Sequence, residues 1–289
     1  MTDCGELGRY LRARRERVRP AEVGLPTAGV RRTPGLRREE LATLAGVSVD
    51  YYVRLERGRE TNPSAAVLSR LAEALLMTEA EAAHLTALAG RIAGTLPARR
   101  AADRTVRPTA RLLLEAMRPN PAFIVSHIND VLAANPAGLA IFPGITDFPP
   151  LRRNLIRYHF LHPAARSLWT DWEGLVTRSV GHLRAAAGTD PDDPELAALV
   201  GELCVKSPEF ARLWNRYDVC PRSTGTKTYN HPTVGRMSLD FEHLPLADGN
   251  GQRLVVYLAE PGTPDHDAMV LLDLSTQPTV SHPYRAESG

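Results

Sequence analysis

Five arginines fall within residues 37–59: Arg37, Arg38, Arg54, Arg57 and Arg59. A guanidinium is a planar fork of donors, so such a set can grip phosphate oxygens or read the paired acceptors of a guanine edge. The residues between them, E-E-L-A-T-L-A-G-V-S-V-D-Y-Y-V-R-L-E, show how they could be presented. Leu41, Ala42, Ala45, Val47, Tyr52 and Leu55 recur at the spacing of two short helices buried against each other, with Gly46 at the turn. That is a helix-turn-helix, whose second helix enters the DNA major groove. The first helix is expected over about 38–45. The second starts at the cap Ser48 and runs to about Arg57, with Gly58 closing it. Val49, Asp50, Tyr51 and Arg54 then face outward, and Tyr52 faces the core. Arg54 suits guanine, Val49 a thymine methyl, and Tyr51 a phosphate or a base. Asp50 can accept from cytosine or complement its own helix N-terminus. Arg37, Arg38, Arg57 and Arg59 are placed to clamp phosphate, or to serve as solvated surface charge with some i,i+4 pairing, for example of Glu56 with a nearby Arg.

Other chemistry finds little footing. Glu39–Glu40 is a carboxylate pair, but it sits in a first helical turn, where acids favour the helix dipole. His159 and His162 lie three apart without a third ligand at convincing spacing, and HExxH is absent. Cys4, Cys204 and Cys220 are scattered, with no CxxC, so neither a metal site nor a disulfide framework is expected. Phosphate loops, dinucleotide fingerprints and nucleophile elbows are missing, so no catalytic residue and no cofactor is expected. A catalytic site assembled in three dimensions stays open as an alternative. In the second half, Asn154, Arg157, Trp169, His231 and Tyr257 are candidates to bind a small molecule. Each has a structural alternative. Arg157 can hold an anionic head group or form an ion pair, and His231 can meet a ligand or end a strand. Trp169, Trp172, Trp214 and Tyr257 can line a pocket or fill a core. Asn135 reads as the cap of a helix opening at Pro136.

The elements that must position these residues can be read from periodicity. Leu7, Tyr10, Leu11 and Arg14 set a helix over about 6–17, followed by a loop rich in Pro and Gly that carries Arg31 and Arg32. A fourth helix follows Pro63-Ser64, and Thr78-Glu79-Ala80-Glu81 forms a capping box for a fifth, ending at Gly90. Residues 1–92 thus make a mainly α domain of five helices. Residues 1–100 hold 17 Arg against 12 acidic residues, a net +5, so the rest of the chain carries −3. Residues 93–107, with Pro97, Arg99 and Arg100, read as a linker. Residues 108–285 read as α+β. A helix from Thr109 precedes a hairpin around Asn129-Asp130, and helices follow at about 136–142, 154–161, 164–187, 194–206 and 208–217. Strands lie around Met237–Phe241 and Arg253–Ala259, with a turn at Asp248–Gly251 between them, and a last helix spans about 265–274. The second of those strands lacks polar alternation and is expected at the centre of an antiparallel sheet. Such a sheet covered by helices can enclose an apolar pocket. No apolar run reaches the ~18 residues of a membrane span, and the N-terminus lacks a signal-peptide core. A cytoplasmic protein is expected.

The run R-R-T-P-G-L-R-R-E-E-L-A-T-L-A-G-V-S-V-D-Y-Y-V-R-L-E-R-G-R resembles the XRE-type (Cro/C1-like) helix-turn-helix of MmyB-like bacterial transcription regulators. Four later pieces are similar to the ligand-binding domain of the same regulators: D-V-L-A-A-N (130–135), N-L-I-R-Y-H-F-L-H-P (154–163), H-P-T-V-G (231–235) and L-V-V-Y-L-A-E-P-G (254–262). One departure is Tyr217, in W-N-R-Y-D-V, where many relatives carry His. The resemblance implies a PAS-like C-terminal domain that senses a small apolar or fatty-acid-like molecule. The chain is therefore expected to be a regulator that reads an operator in double-stranded DNA. A homodimer is expected because one small helical head offers too few contacts, and two-fold pairing sets recognition helices ~34 Å apart. Two alternatives remain: an enzyme fused to a helix-turn-helix, and a C-terminal domain that only dimerises the heads.

Overall fold

The computed structural model describes residues 5–26, 35–60, 62–92, 104–190, 193–220, 224–247 and 251–276. Arg31, Arg32, most of the expected linker and most of the Asp248–Gly251 turn lie outside them. In chain order the helices are α1 (Glu6–Arg17), α2 (Arg38–Leu44), α3 (Val49–Glu56), α4 (Ala65–Ala74), α5 (Glu79–Ile92), α6 (Pro108–Ala116), α7 (Pro136–Ala140), α8 (Leu155–Leu161), α9 (Pro163–Leu168), α10 (Trp172–Thr189), α11 (Pro194–Lys206), α12 (Pro208–Trp214) and α13 (Pro264–Leu274). The strands are β1 (Ala122–Val125), β2 (Val131–Ala134), β3 (Gly225–His231), β4 (Gly235–Pro245) and β5 (Arg253–Leu258). They form one antiparallel sheet of order β2-β1-β5-β4-β3, so β5 is central as its apolar run suggests.

Compactness does not follow the sequence. Met1–Ala101 and Glu173–Arg222 form one unit, and Ala102–Trp172 and Ser223–Gly289 form the other. In the first unit, Tyr10, Leu11, Leu41, Tyr52, Leu55, Leu71 and Leu85 are buried in one core. The capping box of α5 is complete: Thr78 N–H donates to Glu81 Oε2 (2.9 Å) and Glu81 N–H to Thr78 Oγ1 (3.4 Å). Helices α10–α12 join this head through side chains far apart in sequence. Arg184 is buried, bonds Glu6 (2.8 Å), and lies 3.4 Å over the Trp214 ring and 4.3 Å over the Tyr217 ring. Arg91 pairs with Asp190 (3.2 Å), and Arg17 pairs with Asp218. A Cβ on Gly188 would overlap the His84 ring, so α10 reaches α5 only because that position has no side chain.

In the second unit the hairpin around Asn129 forms as expected, with Asn129 at φ +70°. Helix α6 covers one face of the sheet, where Ala110 and Leu114 meet Ala122, Ile124, Leu254 and Val256. One strand is added and two expectations change. Strand β3, too polar for the apolar pattern to mark, is held by a seven-residue register with β4. The helix expected over 164–187 is two helices. His162 caps α9 at Ala164 N–H (3.2 Å), and Trp169 is extended and bridges Tyr229 of β3, so strand pairing interrupts the helical period. Helix α12 stops at Trp214 rather than 217, and Tyr217 has φ +56°, which no helix continues.

Candidate nucleic-acid interface and ligand cluster

The turn before α3 is fixed by local chemistry. Gly46 has φ +64°, a conformation that costs glycine little. Ser48 Oγ accepts from Tyr51 N–H (3.1 Å), which satisfies one of the orphan donors of the first turn. The helix then sorts its residues by period. Tyr52, Leu55 and Glu56 are buried, and Val49, Asp50 and Arg54 are exposed. Arg54 is not idle on this face. Its guanidinium lies 3.5 Å from Asp50 and 3.6 Å from Glu60, and 5.9 Å over the Tyr51 ring. Exposed pairs of this length contribute about 0–1 kcal/mol, so a better partner displaces them readily.

Glu56 anchors α3 from its inner side. Its carboxylate accepts from Arg15 of α1 (3.1 and 3.2 Å) and from Arg38 of α2 (2.7 and 3.1 Å). Burial alone would raise the Glu56 pKa, but the hydrogen bonds and charges of these two arginines outweigh it and hold the carboxyl below its ordinary value. Arg38 is thus spent on the carboxylate that orients the outer face. Arg37 caps α2 through its own backbone, donating to Glu40 Oε2 (2.7 Å), while its half-exposed side chain lies 4.0 Å from Glu39. Arg57 and Arg59 are exposed just past α3.

The ligand candidates of the second unit separate into two groups. Asn154 is buried and fully bonded. Its Oδ1 accepts from Ile156 and Arg157 N–H, and its Nδ2 donates to Ile128 O and Asp130 Oδ1. Arg157 donates to the Arg152 carbonyl (2.7 Å). His231 bonds Ala140 O through Nε2 (3.0 Å) and accepts from Thr233 N–H at Nδ1 (3.2 Å), so it is the neutral Nε2–H tautomer. Burial lowers its pKa. All three are hydrogen-bonded within their own unit. Trp169 and Tyr257 instead meet in an aromatic cluster with Tyr229, Phe241 and Phe142.

Lys227 stands within that cluster and sequence reasoning missed it. By strand alternation it shares a sheet face with Tyr229 and, across β4, with Met237, Leu239 and Phe241. Its Nζ donates to Tyr257 Oη (3.0 Å) and lies 4.2 Å over Phe241 and 5.6 Å over Trp169. The buried indole Nε1 of Trp169 has no hydrogen-bond partner among the described residues. His159 is buried beside Trp169 (5.6 Å between rings). Burial, helped by the nearby Lys227 charge, drops its pKa to about 3, so it stays neutral. An apolar cluster that keeps one ammonium and one unspent N–H donor is chemically suited to the polar end of an otherwise apolar molecule. The available signal was that Lys227 is one of two lysines in the chain and lies two residues from Tyr229 in a strand.

Among the described residues, no group of His, Cys, Asp and Glu is arranged to hold a metal ion, and no helix is long and apolar enough to cross a membrane. Residues 6–85 match the family model described as a helix-turn-helix domain. No curated protein matches the chain. Residues 106–272 match the model described as the MmyB-like transcription regulator ligand binding domain. The match takes in the β1–β2 hairpin, the Lys227 cluster and the central strand together, and the chain belongs to the MmyB-like transcription regulators.

Proposed function

We propose that this ligand-responsive regulator binds a specific operator as a homodimer, with Val49, Asp50, Tyr51 and Arg54 on base edges and Ser48 at the helix cap that presents them. Arg37, Arg57 and Arg59 meet phosphate, and Arg38 contributes by holding Glu56. The observation that carries this reading is the division of α3 between buried Tyr52, Leu55 and Glu56 and exposed Val49, Asp50 and Arg54, with Tyr51 half-buried. The strand order, with β5 between β1 and β4, supports a PAS-like ligand domain. The ligand is a small apolar or fatty-acid-like molecule. Its anionic end meets Lys227 with Trp169 Nε1 as a second donor, and Tyr229, Tyr257 and Phe241 surround it.

Selection of the full chain against random duplexes tests the first part. Enrichment of one two-fold-related sequence is expected, and recovery of no preferred sequence would rule out base readout. Titration with sodium dodecanoate tests the second part. Stabilisation that Lys227→Met weakens at least tenfold is expected, and equal stabilisation of both proteins would remove Lys227 from the site.

A further inference from the structure

Among the named strands of the described residues β2 lies at the edge of the sheet, beside β1. The ladder fixes which of its backbone groups are engaged. Asn135 N–H donates to Ala122 O (3.0 Å), and Tyr257 N–H donates to Pro121 O (2.9 Å). Even-numbered residues of β1 therefore bond toward β2, and odd-numbered ones toward β5. Ala133, paired with Ile124, turns inward, and Ala134, paired with Phe123, turns its N–H and C=O away from the sheet. Beyond the bulge in this pairing, Val131 N–H also points outward and is taken by Arg153 O (2.8 Å), next to an antiparallel bridge between Asp130 and Asn154.

Residues 153–154 are thus the stub of a sixth strand. The chain leaves the edge there for a short turn at Pro150–Arg152. Where it leaves, a pocket of about 320 Å³ opens, bounded by all four residues of β2 with Leu139, Pro150 and Leu151. Alternate residues of a strand face opposite sides of a sheet, so a pocket touching four in a row runs along the edge. Native edges are usually blunted by charge or proline, and V-L-A-A has neither. Leu151, 79% exposed, lies beside it.

Arg104 and Arg153 line the same pocket. Arg104 is offset by Asp130 (2.7 Å). Arg153 donates Nε to Phe148 O (3.2 Å), and among the described residues no carboxylate pairs with it. The slot combines open backbone at Ala134, an apolar wall and one uncompensated cation. We propose that it receives a short extended segment of a partner protein, which adds to β2 as a strand and sets an acidic side chain against Arg153. The charge favours this occupant over a second copy of β2, which would bring another arginine to the same place.

The experiment uses the full chain and fluorescent acetylated hexapeptides of alternating Val and Thr, with one Glu or one Lys at each position in turn, read by anisotropy. Saturable binding of Glu-bearing members is expected, at least tenfold tighter than their Lys counterparts and weakened at least fivefold by Arg153→Gln. N-methylation along the best peptide needs no change to the protein. Loss of binding for methyl groups of one parity and tolerance for the other marks strand addition. Three results would each overturn the proposal: no member binding, equal tolerance of both parities, or peptide binding that dissociates a dimer of the chain. The last would assign the edge to a second copy. None of these outcomes depends on DNA or on dodecanoate.

Discussion

Glu56 shows how one side chain can govern an interface it never touches. It is buried, and the two arginines that hold it come from α1 and α2, so it ties the recognition helix to both neighbours. Glu56→Gln removes the charge and leaves Arg15, 5% exposed in its side chain, with the more distant carboxylate of Glu16 at 3.7 Å. Breaking a buried pair in this way costs about 3–5 kcal/mol, to be read by urea unfolding at neutral pH. The folded pKa of Glu56 is below its unfolded value. Its stabilisation is therefore full above the ordinary carboxylate pKa of ~4.3 and fades as pH falls through the folded value. The gap between the two proteins should narrow on acidification, and a constant gap would mean that packing, not charge, is responsible. Arg54 and Arg37 separate by readout. Arg54→Ala should cost about 1–3 kcal/mol of discrimination between operator variants. Arg37→Ala should weaken all sequences alike and make the salt dependence shallower. Unchanged preference in the first, or a base-dependent effect in the second, would reverse these assignments.

Helices and strands test whether a position serves its own element or its neighbour. Gly138 lies inside α7, where alanine is intrinsically better by about 1 kcal/mol. A Cβ there would run into the Ala122 carbonyl of β1, and Asn135 Oδ1 already stitches the two elements by accepting from Gly138 N–H (2.8 Å) and Ala122 N–H (3.1 Å). Gly138→Ala should lower the melting temperature despite its better propensity, with a cost of about 1–3 kcal/mol. A rise in melting temperature would show that α7 moves freely against β1. The same contrast explains what the sequence made legible. Helix α1 has the expected bounds because its apolar period and its ends are local signals. The buried face of α3 follows equally from spacing. The break at Trp169 comes from a bridge to Tyr229, sixty residues on, and no local pattern carries it. The bond from Arg38 to Glu56, eighteen residues away on another helix, follows from no local spacing either. Lys227 was overlooked because a lysine in a polar strand ordinarily faces water, and only the β3–β4 register shows that this one shares a face with the aromatics.

At the scale of the molecule, the ligand-domain match and the compact units disagree in an informative way. The match spans residues 106–272, yet Glu173–Arg222 within it packs with the helix-turn-helix. By chain continuity this segment leaves and re-enters the ligand unit at its two ends, and its helix α10 is bonded to α1 by Arg184 and Glu6. Arg184 is the centre of that junction. Burial lowers its pKa, and its charge is met by Glu6, the Trp214 carbonyl (2.6 Å) and two ring faces. Tyr217 holds a positive φ at this position, and its ring is one half of the sandwich. Arg184→Met keeps most of the volume and removes the charge. The loss of both charged hydrogen bonds and both cation–π contacts should cost at least about 2–3 kcal/mol. Hydrogen exchange should quicken in α1 and α10 and stay unchanged in β1 and β5, which belong to the other unit. Coupling between ligand and DNA is a free energy shared by both sites, so a severed junction should bring the ratio of operator affinities with and without dodecanoate toward one while dodecanoate itself binds as before. An unchanged ratio in a protein whose α1 exchanges faster would show that the signal reaches the head by another route.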